Sequence, residues 1–249
     1  KKDRKYLRFK WQGQLYQFRC LSNGLSCGSR KFTKLLKPAL SELHMHGHLS
    51  NGYIDDMYLQ VRTYHACQTN VVVTVTQFDS LGFVAHPEKS VFEPTQILEI
   101  LGFQINPVLM IITLTNEKAH KLRNKCMNLR GQVSPTIRAV ASVIGKIVSG
   151  FPGVMYGPLH YRHLEHDKTT ALHRKHWNFD KHMDLTPPAV AELDWWISNV
   201  LASKNVLARD HPSSTLIADA SNEGWGAVVE QSSTGGLWSA GEKCIILTT

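Results

Sequence analysis

The sequence predicts an α+β protein: an antiparallel sheet backed by helices, then a helical region, then the first strands of a second unit. Three observations carry this expectation. Over residues 1–114, strand-length apolar runs recur between Gly, Asn and Pro turn signals, with two helical patterns set among them. From residue 115 the apolar spacing becomes helical and stays so to about residue 200. Beyond about residue 213 short strand-like runs return. The order ββ-α-ββ-α-β-ββ of the first part is one that packs helices against an antiparallel sheet. The expected divisions are 1–114, 115–150, 151–212 and 213–249.

Taken in order, residues 6–20 alternate apolar and polar across a Gly13-Gln14 turn and read as a hairpin. Residues 1–10 hold six Lys or Arg against one acid, which reads equally as a phosphate-facing edge or as an edge strand protected by charge. After a turn at Leu21-Ser-Asn-Gly-Leu25, the spacing of Phe32, Leu35, Leu36, Leu40 and Leu43 predicts a helix, kinked at Pro38. Residues 47–60 read as strand, tight turn, strand. A second helix over 66–82 follows from Val71, Val75, Phe78 and Leu81, closed by Gly82. A short strand and turn over 83–89, a strand over 97–105, and a hairpin across Asn106-Pro107 to 110–114 complete the first part.

Thr115 is the expected cap of a helix reaching about Arg130, and Ser134-Pro135 the opening of another, with Ile137, Val140, Ala141, Ile144 and Ile147 on one face. Between residues 117 and 146 seven Lys or Arg stand against the single acid Glu117, a basic helical surface. Phe151-Pro-Gly and Tyr156-Gly-Pro break the helices, a His-rich helical stretch follows, and Thr186-Pro187 caps a last helix through Val190, Leu193, Trp196, Ile197 and Val200. In the final part, a strand over 215–218 ends on Asp219, a second runs over 224–229, and Gly235-Gly236 turns the chain into Leu237-Trp238.

Composition bounds the function. With 43% hydrophobic and 19% charged residues in 249, the chain has the makeup of a folded protein. Its formal charge of +8 points to an anionic partner, nucleic acid before membrane, and no apolar run approaches membrane-spanning length. Cys20, Cys27, Cys67, Cys126 and Cys244 form no C-x-x-C pair, so neither a zinc ribbon nor a disulfide framework is indicated and a reducing compartment, cytoplasm or nucleus, is expected. The chain opens on Lys1-Lys-Asp-Arg-Lys5, without initiator Met or signal peptide, and reads as a piece of something longer.

The chemically marked feature is Asp55-Asp56, placed by the pattern in the 47–60 turn. Adjacent carboxylates repel, and a turn chosen for shape alone takes Asn-Gly or Asp-Gly. The pair makes chemical sense where a divalent cation neutralises it; oxygen donors suit Mg²⁺, and paired Mg²⁺ ions roughly 3.5–4 Å apart serve polymerases and nucleases. By itself the pair also reads as a solvated hairpin tip, because turns favour Asp. His44-x-His46-x-His48 lacks a fourth ligand and reads as exposed histidines, His160, His163 and His166 as a helix surface, and Trp195-Trp196 as packing.

Together these residues resemble the palm and thumb of a reverse transcriptase followed by the start of a ribonuclease H domain. The thumb and connection segments, with Phe151-Pro-Gly, Tyr156-Gly-Pro-Leu-His-Tyr-Arg162 and Trp195-Trp196, resemble DIRS-like, tyrosine-recombinase retroelements more than retroviruses. Tyr53-Ile-Asp-Asp56 resembles the polymerase Y-x-D-D hairpin, and Leu21-Ser-Asn-Gly-Leu25 with Phe32 the segment at template and nucleotide. Leu81-Gly-Phe83 leading to Lys89 resembles the next motif, and Leu101-Gly-Phe103 the primer grip. Asp219-Ala-Ser with Gly224-Trp-Gly-Ala227 resembles the first ribonuclease H strands. The resemblance covers nearly the whole chain. It implies an RNA-directed DNA polymerase domain of a retrotransposon polyprotein, binding an RNA/DNA template-primer duplex and a dNTP and using two Mg²⁺ ions, with no membrane partner. It makes Asp55 and Asp56 metal ligands, Lys89 the group that meets the leaving pyrophosphate, and Gly24 and Phe32 the nucleotide and template contacts. Leu101, Gly102 and Phe103 become the primer grip, Asp219 a ribonuclease H ligand, and the basic helices after 115 a duplex clamp.

The departures from the family have consequences of their own. The third catalytic carboxylate is expected upstream of residue 1, so this piece alone is not expected to polymerise. Ser22 and Ser29 replace prolines usual in the family, loosening the nucleotide loop. Glu242-Lys-Cys-Ile-Ile-Leu-Thr-Thr249 leaves the family pattern, so Asp219 is without its partners and hydrolysis is not expected. A different class remains open: a non-catalytic nucleic-acid-binding remnant, or a domesticated retroelement protein.

Overall fold

The computed structural model describes residues 6–22, 24–208 and 214–239; Lys1 to Lys5, Asn23 and the segment from Glu242 that includes Cys244 lie outside the described residues. The chain divides between Val206 and Leu207 into two compact units. The first holds β1 (Arg8–Trp11), β2 (Gln14–Gln17), α1 (Gly28–Met45), β3 (Ser50–Tyr53), β4 (Asp56–Leu59), α2 (Tyr64–Ser80), β5 (Leu98–Ile100), β6 (Phe103–Asn106) and β7 (Ile111–Leu114). It continues through α3 (Asn116–Arg130), α4 (Ile137–Val148), α5 (Arg162–Arg174) and α6 (Pro187–Asn199) to β8 (Asn205–Val206). The α+β class holds, but the one sheet expected is divided into small antiparallel ones: β1-β2, β3-β4, and a four-stranded sheet in the order β5-β6-β7-β8. Strands of about four residues pair within their own hairpins, and β8 returns from the helical region to close the last sheet against β7.

Several local expectations change. The single strand over 97–105 is broken after Ile100, because Leu101 (φ +53°) and Gly102 (φ +75°) make a two-residue turn that pairs Ile100 with Phe103. Residues 83–89 form no strand; Gly82 and Pro87 leave a loop whose turn is closed by the Ser90 amide on the His86 carbonyl, 3.1 Å. Helix α1 begins at Gly28 and runs through Pro38, burying Leu36, Ala39 and Leu43 while Leu35 stands 64% exposed. Thr136, not Ser134-Pro135, caps α4, its hydroxyl accepting from the Ala139 amide at 3.2 Å. Thr115 caps α3 as expected, accepting from the Lys118 amide.

A small core joins Leu36, Ala39, Leu43 and Phe78, with Phe32, Leu40, Met57, Val73 and Phe83 packed on it. The large core spans Leu114 to Val200, so the helices on both sides of residue 150, assigned to separate segments by the sequence pattern, share one interior. Trp196 is its largest fully buried side chain. The indole Nε1 donates to the His160 carbonyl at 2.6 Å, and Gly157 lies so close that a Cβ there would stand 2.7 Å from the ring. Two buried carboxylates tie α5 to α6. Glu192 accepts from the amides of His163 and Leu164, each at 3.0 Å, satisfying donors that the first turn of α5 leaves open. Asp167 accepts from both the amide and the hydroxyl of Thr186, each 2.8 Å, so Thr186 spends its hydroxyl as a donor instead of capping α6.

The second unit is a three-stranded antiparallel sheet in the order β11-β10-β9, from β9 (Leu216–Ala220), β10 (Gly224–Val229) and β11 (Ser232–Leu237). The turn expected at Gly235-Gly236 lies instead at Glu230-Gln231, with Glu230 at φ +53°. The two glycines sit inside β11, where a Cβ on Gly235 would meet the Trp225 carbonyl at 2.8 Å; they let the strands approach and do not turn them.

Glu192→Ala strands two helix amides in a dry setting, and is expected to cost the first unit roughly 2–3 kcal/mol, read as a lower urea midpoint. An unchanged midpoint would show that water replaces the carboxylate there.

Candidate functional site

The Asp55-Asp56 hairpin is tightly specified. Tyr53 pairs with Asp56, leaving Ile54 and Asp55 as a two-residue loop. Such loops need a positive φ at their first residue so that their twist matches the strands, a role usually given to Gly or Asn. Here Ile54 takes it, at φ +57°. A β-branched residue in this region is strained by about 1–3 kcal/mol and persists only where its surroundings hold it. The strands fix the loop, and both aspartates are exposed at its edge.

The holding groups come from α1 and α2. His44 of α1 sets its Nε2 against Ser50, 2.9 Å from the carbonyl oxygen, 3.0 Å from the hydroxyl and 3.3 Å from the amide nitrogen. Asn70 of α2 is fully buried and its side chain donates to the Leu49 carbonyl at 3.0 Å, while the Thr74 hydroxyl donates to Asn70 Oδ1 at 3.2 Å. Between these polar clamps, Met57 of β4 packs on the small core and Leu40 reaches within 3.8 Å of where a Gly52 Cβ would lie. His46 turns back to the Glu42 carbonyl at 2.9 Å, so the three histidines of 44–48 do not converge.

The turn at Leu101, Gly102 and Phe103 is the second shaped element. Lys118 of α3 lies across it: Nζ donates to the Leu101 carbonyl at 3.3 Å and sits 3.7 Å from the centre of the Phe103 ring. Its aliphatic stem fills the space where a Gly102 Cβ would be, 2.8 Å from Cδ. Burial, and then the charge of Lys146, hold the Lys118 ammonium below the usual lysine range. The Thr115 amide bonds the Gly102 carbonyl at 3.1 Å, tying the turn to the start of α3 from the other side.

The remaining expected residues lie in different settings. Gly24 (φ +85°) stands in open space before α1, and Lys89 is exposed in the loop after α2. Phe32 is partly buried, its ring edge-on to Phe83 at 6.2 Å, which itself meets Phe78 at 5.4 Å; packing occupies this side chain. Asp219 belongs to the second unit. It lies inside β9 opposite Gly226, not at the strand end, and its carboxylate accepts from the Ala220 amide at 2.8 Å. Apolar periodicity missed Asn70, because the inward face of α2 is Asn70, Thr74 and Phe78, one residue out of step with Val71 and Val75. The four-residue spacing of that face was present, but two of its members are polar.

Asp55 and Asp56 offer hard oxygen donors of the kind Mg²⁺ takes. Their number is short: among the described residues no group of three His, Cys, Asp or Glu is placed to hold a metal ion. No helix among the described residues is long and apolar enough to cross a membrane.

No protein-family model matches the chain, and no curated protein matches it. Solved structures do. The chain is similar to the foamy viral protease-reverse transcriptase in complex with dsDNA, with a TM-score of 0.63 and 17% identity over 98% of this chain and 48% of that one. It is similar to the dRH form of that protein with dsDNA at a TM-score of 0.61 and 17% identity, over 98% of this chain and 41% of the other. The same protein with an RNA/DNA hybrid matches at 0.60 and 17% identity, over 95% of this chain and 31% of that one. The fold is reverse transcriptase-like, and the chain spans about half or less of the length of these three structures.

Gly102→Ala is expected to destabilise by about 1–2 kcal/mol, from its positive φ and from the Lys118 stem. In a Lys118→Ala background the cost should fall by a measurable part, in a urea double-mutant cycle. Equal costs in both backgrounds would mean that Lys118 does not hold the turn.

Proposed function

We propose that this chain is the polymerase-core part of a retroelement reverse transcriptase, holding a template-primer duplex and carrying part of the site for RNA-directed DNA synthesis. The Ile54-Asp55 turn carries the reading: two adjacent, exposed carboxylates presented by a strained loop, within a fold shared with proteins solved on dsDNA and RNA/DNA hybrid. In this reading the first 114 residues are palm, α3 and α4 belong to the thumb, and β9 and β10 begin a ribonuclease H-like sheet.

Asp55 and Asp56 would be the Mg²⁺ ligands this chain supplies, the rest of the donor set coming from outside the described residues. Bound Mg²⁺ supplies charge neutralisation for nucleotidyl transfer. The Leu101-Gly102-Phe103 turn, braced by Lys118, would position the primer end. Open space at Gly24 admits a template–nucleotide pair, and exposed Lys89 meets the phosphates of an incoming dNTP. Exposed Lys121 and Lys125 on α3 contact the duplex backbone without reading bases. The shortfall in donors favours a second reading, a nucleic-acid-binding remnant that keeps the fold and basic surface but not the chemistry.

Binding of a labelled RNA/DNA hybrid should weaken linearly in log–log plots against salt. Lys121→Glu with Lys125→Glu should lower affinity roughly tenfold, and Asp55→Asn should not lower it. In a polypeptide extended upstream to complete the carboxylate set, Mg²⁺-dependent primer extension should appear and be abolished by Asp55→Asn. Extension that survives this change would sink the site; hybrid binding without extension in the longer protein would establish the second reading.

A further inference from the structure

A different surface lies where α5 ends. His176 (φ +51°) and Trp177 (φ +61°) occupy the left-handed region in succession, a conformation uncommon outside glycine and one that a bulky side chain such as Trp177 disfavours. The backbone there is held by several hydrogen bonds. The Trp177 amide donates to the Leu172 carbonyl at 2.8 Å, and the Asn178 side chain accepts from the Asp180 amide at 3.0 Å. The loop is strapped to the first turn of α4, with the Arg138 amide on the Phe179 carbonyl at 2.8 Å and the Ile137 amide on the Lys181 carbonyl at 2.9 Å. Arg138 also pairs with Asp180 at 2.8 Å.

This well-bonded loop projects a large aromatic side chain into solvent. Trp177 is 61% exposed, with His173 edge-on at 4.9 Å. In the same stretch of chain Arg174, Lys175 and Lys181 are exposed cations, and the one acid of residues 173–182, Asp180, is already engaged by Arg138. A strained, hydrogen-bonded backbone that displays tryptophan beside cations suits a flexible polyanion with flat faces free to stack. Bases in a duplex are already stacked on each other; bases of a single strand are not.

We propose that the 173–181 loop is a contact for single-stranded nucleic acid, in which a base stacks on Trp177 and the flanking phosphates meet Arg174, Lys175 and Lys181. It uses none of the residues of the duplex reading, so the two stand or fall separately.

The test is fluorescence anisotropy of the 249-residue chain with a fluorescein-labelled single-stranded 12-mer and, in parallel, a blunt RNA/DNA hybrid. Trp177→Ala should weaken single-strand binding about tenfold, with Trp177→Phe recovering most of it and hybrid affinity unchanged. Arg174→Glu with Lys175→Glu should also weaken it and flatten its salt dependence. In the unaltered chain, a 5-iodouracil oligonucleotide should photocrosslink to the peptide bearing Trp177, a readout that survives any folding defect of the variants. The proposal is overturned if the parent does not bind the single strand, if Trp177→Ala binds it like the parent, or if both nucleic acids weaken together. It is equally overturned if the crosslink maps elsewhere. Loss of hybrid binding with single-strand binding intact would remove the duplex reading alone.

Discussion

Both chemically marked hairpins of the first unit turn on the same constraint. A two-residue loop joins antiparallel strands without splaying them only if its first residue takes a positive φ, and at 53–56 and 100–103 that residue is Ile54 or Leu101, not glycine. The shortest loop is what keeps Asp55 and Asp56 at the strand ends; a longer one would let them diverge. Because neither bulky residue favours this conformation, each hairpin depends on groups outside itself. Ser50 and Leu49 are bound by His44 and Asn70, and the Leu101 carbonyl by Lys118. Position at these loops is therefore a tertiary property.

The supports are mostly polar. Asn70, Thr74 and Ser50 are buried, and each has a hydrogen-bonding partner. Among the described residues no buried side-chain nitrogen or oxygen is left unsatisfied. Directional bonds fix register in a way that the small apolar cluster behind them cannot, since dispersion contacts tolerate sliding. The helical region uses the same device on a larger core, where Glu192 and Asp167 fasten α5 to α6 and leave the apolar residues to fill volume.

What the sequence showed and what it hid follow from this division. Periodic apolar residues of α4 and α6 marked their helices well, because Ile137, Val140, Ile144, Leu193 and Trp196 face one deep core. The pattern failed where a residue's role is set across the fold. Asn70 looks like an outward polar residue, and Lys118 like one more cation of a basic helix. The alternation over 97–105 supported one longer strand, although the resemblance marked Leu101-Gly102-Phe103 as a hairpin. Asp55 and Asp56 were legible as a turn, but their strained support was not, since nothing local to Ile54 announces a left-handed backbone. Gly235 and Gly236 misled in the opposite sense: glycine signals freedom, and here the need was closeness to Trp225.

The unequal size of the two cores has a consequence for how the first unit breathes. Four buried residues, Leu36, Ala39, Leu43 and Phe78, underlie the aspartate hairpin, whereas the helical core runs from Leu114 to Val200. Local opening follows buried contact, so the hairpin region opens more readily than α3 to α6. A ligand that bridges the hairpin to the helices would bind the closed population alone, and its free energy would appear as slowed amide exchange in β3 and β4. Occupancy and order at this hairpin are thus one equilibrium.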